Sequence, residues 1–149
     1  MAYLFDYLFD TNIFLRLAEK NSPQRPIILN AIRKIRANNQ TICYTPQILA
    51  EFWNVCSRPV TARGGFGLSL AQTERKVNLI QKYFEILPDT FQTFAEWRKI
   101  VSDYAITGVQ VHDAKIAASM NVHKVEFLVT LNERDFKRFP IKVLNPKDI

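Results

Sequence analysis

The chain has 149 residues, 48% hydrophobic and 23% charged, which predicts one globular domain over residues 1–149 with its own core. No apolar run approaches the ~20 residues that span a bilayer. The two cysteines, Cys43 and Cys56, make neither a metal pattern nor a disulfide framework. These features argue against a membrane protein or a disulfide-stapled secreted domain, and a reducing cytoplasm is the expected setting. The net charge of +6 suits a polyanion such as nucleic acid, and equally suits an ordinary soluble surface.

Phe5 to Phe9 is aromatic and aliphatic apart from Asp6, the pattern of a strand buried on both faces. It has no basic segment before it and is interrupted by Asp6 and Asp10, so no signal peptide is expected. Asp10 then ends the strand, and Thr11 or Asn12 is placed to cap a helix carrying Ile13, Phe14 and Leu17. Pro23 to Asn39 has helical spacing at Ile27, Ile28, Ala31, Ile32 and Ile35. Thr41–Tyr44 reads as a short buried strand. Pro46 opens a broadly apolar helix that contains Glu51 and stops before Pro59.

Arg58 to Leu68 holds three of the four glycines, Gly64, Gly65 and Gly67. No Gly-Lys-Ser/Thr follows, so this is not a P-loop; a flexible substrate-contacting loop and a plain connector both remain open. Ser69 caps a helix to about Phe84, and Ile86-Leu87 reads as an edge strand. A helix from Thr90 to Tyr104 has an expected apolar stripe of Phe91, Phe94, Trp97, Ile100 and Val101, and Gly108 breaks the pattern. His112-Asp113-Ala114 starts a small-sided helix. Glu126–Thr130 is a strand, Asn132–Phe136 a turn or short helix, and Ile141–Leu144 a last strand. This alternation predicts a parallel α/β sheet with helices on both faces.

In such sheets ligands bind beyond the carboxyl ends of the strands. Asp10, Glu51, Asp113 and the Asn132/Asp135 turn all map to that edge. Carboxylates gathered in a cleft stay ionised together only with a cation, and Mg²⁺ or Mn²⁺ takes oxygen ligands. A phosphodiester can share that ion while an activated water attacks phosphorus. Each residue also has a plainer reading: Asp10 as a helix-terminal acid, Asp113 as a cap, His112 as a packing residue, Glu51 as a member of an exposed stripe. Asp6 lies roughly 13 Å back along the strand and receives no catalytic role.

The ordered set Asp10-Thr11-Asn12, Glu51 in a Pro-opened helix, His112-Asp113-Ala114, and Thr130-Leu131-Asn132-Glu133-Arg134-Asp135-Phe136 resembles the PIN-domain family, most of all its VapC-type toxin ribonucleases. It spans nearly the whole chain. The segment from Arg58-Pro59 to Gly67-Leu68-Ser69 is also similar to a loop of one PIN branch. The resemblance implies a three-layer α/β/α sandwich with a parallel central sheet and a Mg²⁺- or Mn²⁺-dependent endoribonuclease. It further implies a homodimer and, in toxin members, a cognate antitoxin over the acidic cleft.

By motif position Asp10, Glu51 and Asp113 take the family's first three acidic places. The fourth falls to Asn132, where many relatives carry an acid, or to Asp135. The expected metal ligands are Asp10, Asp113 and Asp135, with Glu51 completing the shell or acting as base. Asn12, Thr130 and Asn132 support them, and Arg58, Arg63, Lys115 and Arg134 are candidate RNA contacts. Two rivals remain: a non-catalytic RNA-binding module of the same fold, and an aspartyl-phosphate phosphotransferase. The latter usually carries a second acid two residues after the first, where this chain has Asn12.

Overall fold

The computed structural model describes residues 2–149. Strand β1 (Phe5–Phe9) leads into helix α1 (Thr11–Ala18), followed by α2 (Arg25–Ala37), β2 (Ile42–Tyr44) and α3 (Pro46–Ser57). Then come α4 (Leu70–Tyr83), β3 (Glu85–Ile86), α5 (Phe91–Asp103), α6 (Gln110–His123), β4 (Val125–Val129) and β5 (Lys142–Leu144). A 3-10 turn, Glu133–Phe136, links β4 to β5.

All strand pairings are parallel, in the order β3-β2-β1-β4-β5. The register sets Leu8 beside Cys43 on one side and Leu128 on the other. From β1 the chain steps outwards through β2 to β3, then crosses back to β4 and continues outwards to β5. Right-handed crossovers in opposite directions place their helices on opposite faces. Accordingly α1 packs on α2 and α3, and α3 on α4, in one layer; α5 packs on α6, and α6 on β4, in the other. The expected α/β/α sandwich is therefore the observed fold. The reversal lies between β1 and β4, and that switch point is where ligands of open α/β sheets bind.

Leu8 and Phe9 on β1, Leu128 and Val129 on β4, and Ala114, Ala117 and Ala118 on α6 are all fully buried. The small side chains of α6 let it lie close on the sheet and on α5. No helix of the described residues is long and apolar enough to cross a membrane.

Four local expectations change. The cap of α1 is Asp10, whose carboxylate accepts from the Thr11 N–H, so Thr11 and Asn12 are free for other partners. Asp113 is not a cap either, because α6 begins earlier, after Val109. Of the expected α5 stripe, Ile100 is buried and Trp97 and Val101 pack on the core, but Phe91 and Phe94 are 79% and 57% exposed and Thr93 takes the inward place near the helix start. The capping box of Thr90 with Thr93 fixes the start of α5 and turns Thr93 inwards, carrying the two phenylalanines outwards. Finally, the glycine-bearing loop is closed by backbone hydrogen bonds to the end of α3. Phe66 and Leu68 donate to Val55 and Cys56 carbonyls and Gly67 to that of Arg58, while Phe66 and Leu68 pack on the core. A Cβ on Gly65 would meet the Pro59 and Arg58 carbonyl oxygens at 2.4 and 2.5 Å, so only glycine allows this turn to close.

Candidate active site

Asp10 leaves β1 at the switch point and is 7% exposed. Its Oδ1 accepts from the Thr11 N–H at 2.8 Å, and its Oδ2 accepts from the Thr130 hydroxyl at 2.8 Å. Thr130 follows β4, so this bond crosses between the two central strands. Asn12, on the first turn of α1, donates to Asp10 Oδ2 and to Thr130 Oγ1, and its own Oδ1 accepts from the Leu131 N–H. The Asn132 N–H also donates to Thr130 Oγ1. The supporting residues Asn12 and Thr130 thus tie the ends of β1 and β4 into one network, with Thr130 Oγ1 at its centre.

Glu51 comes from α3, one layer neighbour of α1. Both of its oxygens are held: Oε2 by the Thr11 hydroxyl at 2.6 Å and Oε1 by Gln47 Nε2 at 3.0 Å. Gln47 Nε2 donates as well to the His112 carbonyl, at 3.0 Å, in the first turn of α6. Asp113 is the next residue. The helices of the two layers therefore meet over the carboxyl edge of the sheet.

The electrostatics report the same convergence. Burial pushes the Asp113 carboxyl up to about 6, and the charges of Asp135, Asp10 and Glu51 add to the rise while His112 opposes it. Burial also raises the Asp10 carboxyl, Glu51 and Asp135 push the same way, and the Thr130 and Thr11 hydrogen bonds offset part of it. The charges of Glu51 and Asp135 thus reach both Asp10 and Asp113. Asp135 is exposed, on the 3-10 turn after β4, yet is the strongest charge acting on Asp113. The Asn132 side chain is also exposed. Asp6, by contrast, is bound by the Thr41 N–H and hydroxyl at the opposite end of the sheet.

The donor set suits a hard divalent cation. It is all oxygen, and the charges of Glu51 and Asp135 raise the proton affinity of Asp10 and Asp113, an effect that a cation would reverse. Among the described residues no three His, Cys, Asp or Glu side chains are drawn together closely enough to enclose an ion. Gln47 Oε1 is the one buried side-chain oxygen or nitrogen of the described residues that lacks a partner. An acceptor orphaned beside these acids is what a hydrated cation's shell would satisfy. Cys43 and Cys56 are fully buried, and burial pushes their thiols up to about 12 and about 11, so both stay protonated.

The candidate RNA contacts lie apart from one another. Arg58 ends α3, about 10 Å along the helix from Glu51, and its guanidinium is turned to the Arg63 carbonyl. Lys115 pairs with Asp89 at 3.5 Å. Arg134 is exposed on the turn that carries Asp135. Two residues of the network carry no site role in the sequence reading. Thr11 has the chemistry of a cap, which gives no sign of its bond to Glu51. Gln47 stands four residues before Glu51, a helical i,i+4 spacing that could have marked it.

The PIN domain family model matches residues 7–142. No curated protein sequence matches significantly. Among solved structures, VapBC2 from Rickettsia felis, bound to a DNA fragment from its promoter, is similar at 22% identity. That match covers 95% of this chain and 98% of the other, with a TM-score of 0.70. VapBC from Salmonella typhimurium, bound to DNA, is similar at 23% identity, covering 96% and 99% with a TM-score of 0.65. The Mycobacterium tuberculosis sarcin-ricin loop cleaving toxin VapC20 is more distant, at 13% identity over 82% and 86% of the chains and a TM-score of 0.57.

Proposed function

This chain belongs to the PIN-domain family, and from that premise we propose that it is a Mg²⁺- or Mn²⁺-dependent endoribonuclease, the toxin of a type II toxin–antitoxin pair. The observation that carries the reading is the convergence of Asp10, Glu51, Asp113 and Asp135 at the switch point, with Asp113 pushed up to about 6 by burial and by the other three acids. Asp10, Asp113 and Asp135 hold the ion. When bound, it supplies Lewis acidity to the phosphate and lowers the pKa of water. Glu51, anchored on both oxygens by Thr11 and Gln47, accepts the proton of the attacking water. Thr130 and Asn12 keep Asp10 in place, and Asn132 orients the water or the scissile phosphate. The basic surface, including Arg134, meets the RNA backbone.

Two apolar surfaces support the proposed protein partners. A groove of about 640 Å³ between α1, α2 and α4 is floored by Phe14, Ile80 and Phe84 and edged by Arg25, Arg36 and Lys76, with no acid in its lining. It suits an apolar, acidic segment of an antitoxin better than a second copy of a chain with net charge +6. The exposed Phe91 and Phe94 of α5 stand among both signs of charge, Glu96 with Arg98 and Lys99, which suits a self-complementary homodimer contact.

The test is cleavage of RNA by the purified chain with Mn²⁺, with EDTA, and with Mn²⁺ after Asp113→Asn. Cleavage is expected only in the first arm. RNA bound with steep salt dependence but left intact in Mn²⁺ would overturn the enzymatic reading in favour of the non-catalytic module. Phosphorylation trapped on Asp10 would favour the phosphotransferase.

A further inference from the structure

Glu51 is the one acid of the cleft supplied by the α1–α4 layer beyond the strand end, so something must set its distance from Asp113 in the other layer. The side chain placed to do so is Gln47. It lies one turn before Glu51 on α3, and its Nε2 donates to Glu51 Oε1 and to the His112 carbonyl, both at 3.0 Å. Turning the amide over would set its oxygen against two acceptors, so the orientation is fixed by the partners. A side chain in this position does two jobs. It holds the Glu51 carboxylate against the repulsion of the other acids, and it fastens α3 to the backbone immediately before Asp113.

We propose that Gln47 is a positioning residue that fixes the Glu51 carboxylate and the span between α3 and the Asp113 turn of α6, and so sets the affinity of the cleft for a divalent cation. Thr11 holds only the other oxygen of Glu51 and reaches no residue of α6. Removing Gln47 therefore frees one Glu51 oxygen and unlinks the layers while the fold remains. A partner that orients a ligating carboxylate is typically worth a tenfold to hundredfold change in metal affinity. The proposal deepens the reading of this cleft as a cation site and rests on it for the metal, but the geometric link is testable without metal or RNA.

The substitution is Gln47→Met, which keeps the length and removes both donated bonds; Gln47→Asn, one methylene shorter, is the milder companion. In EDTA, melting temperatures are measured for Gln47→Met, Glu51→Met and the double variant. Direct pairing predicts that the effect of Gln47→Met seen in the wild-type background shrinks in the Glu51→Met background to the share that comes from the His112 carbonyl. Equal effects in the two backgrounds would overturn the pairing, whatever the protein does to RNA. With Mn²⁺ alone, the concentration giving half of the maximal melting shift should rise about tenfold or more in Gln47→Met. It should rise less in Gln47→Asn. An unchanged Mn²⁺ midpoint in a folded Gln47→Met protein would overturn the positioning role. A wild type that shows no Mn²⁺ shift at all would overturn the cation reading of the cleft, and with it the metal part of this proposal.

Discussion

Asp113→Asn should stabilise the metal-free protein. The Asp113 carboxyl moves from an ordinary 3.8 to about 6, chiefly through burial and then through Asp135, Asp10 and Glu51. A rise of roughly two units means that ionising this group costs the folded state about 3 kcal/mol more than the unfolded chain. The site is partly open to solvent, which screens the charges and leaves roughly 1–2 kcal/mol. Because the folded-state value is the higher one, the folded protein holds the proton more tightly. The penalty is absent below about pH 4, grows as pH rises through 4 to 6, and is complete above that. Among the described residues no side-chain hydrogen bond ties down the Asp113 carboxylate, so the amide loses nothing that the acid had. Thermal melts of both proteins in EDTA across pH 4 to 8 read the difference. The variant should melt with the wild type near pH 4 and roughly 3–6 °C above it at pH 7.5. Adding Mn²⁺ should raise the wild type more than the variant and narrow or reverse the gap. A variant less stable at neutral pH, or a gap that does not change with pH, would refute the claim that the acids repel one another in this cleft.

Asp10→Asn should abolish cleavage without the stabilisation expected at Asp113. An asparagine can still accept from the Thr11 N–H, but its amide then faces Thr130 Oγ1, which already receives Asn12 and the Asn132 N–H. That mismatch, about 1–3 kcal/mol, offsets the relief of burying one charge fewer; full activity, or a marked rise in melting temperature, would count against it. At the fourth acidic place, Asp135→Asn should cost most of the activity and raise the Mn²⁺ concentration required, while Asn132→Asp should change little; titrating Mn²⁺ against cleavage rate in both variants decides between them, and an unaltered Asp135→Asn would shift the role to Asn132. Gly65→Ala should lower stability by roughly 2–4 kcal/mol, because its methyl would meet two backbone carbonyl oxygens of Arg58 and Pro59. Unchanged melting would show that the loop reopens freely.

Much of this protein was legible in its residues, because strands and helices announce themselves by local pattern. The apolar run ending in Asp10, the Pro46 helix start and the small-sided helix at Ala114 specify elements whose alternation leaves few topologies besides a parallel sheet. The same logic places Asp10, Glu51, Asp113 and Asp135 at one edge, since each follows a strand or lies near the start of a helix there.

What only the tertiary structure decided depends on which groups face each other across that edge. The Thr130 hydroxyl reaches Asp10 over 120 residues of sequence, and Gln47 reaches the His112 carbonyl over 65; neither bond has a local signal. The exposure of Phe91 and Phe94 was likewise invisible, because an apolar stripe shows that a helix face must be covered but not by what. Thr11 and Asn12 both have the chemistry of a cap, and only the position of the Asp10 carboxylate one residue earlier, already bonded to the Thr11 N–H, leaves their side chains to Glu51 and Thr130. Local pattern dictates which elements form, whereas the partner of a polar side chain is set by the packing that brings distant segments within 3 Å of it.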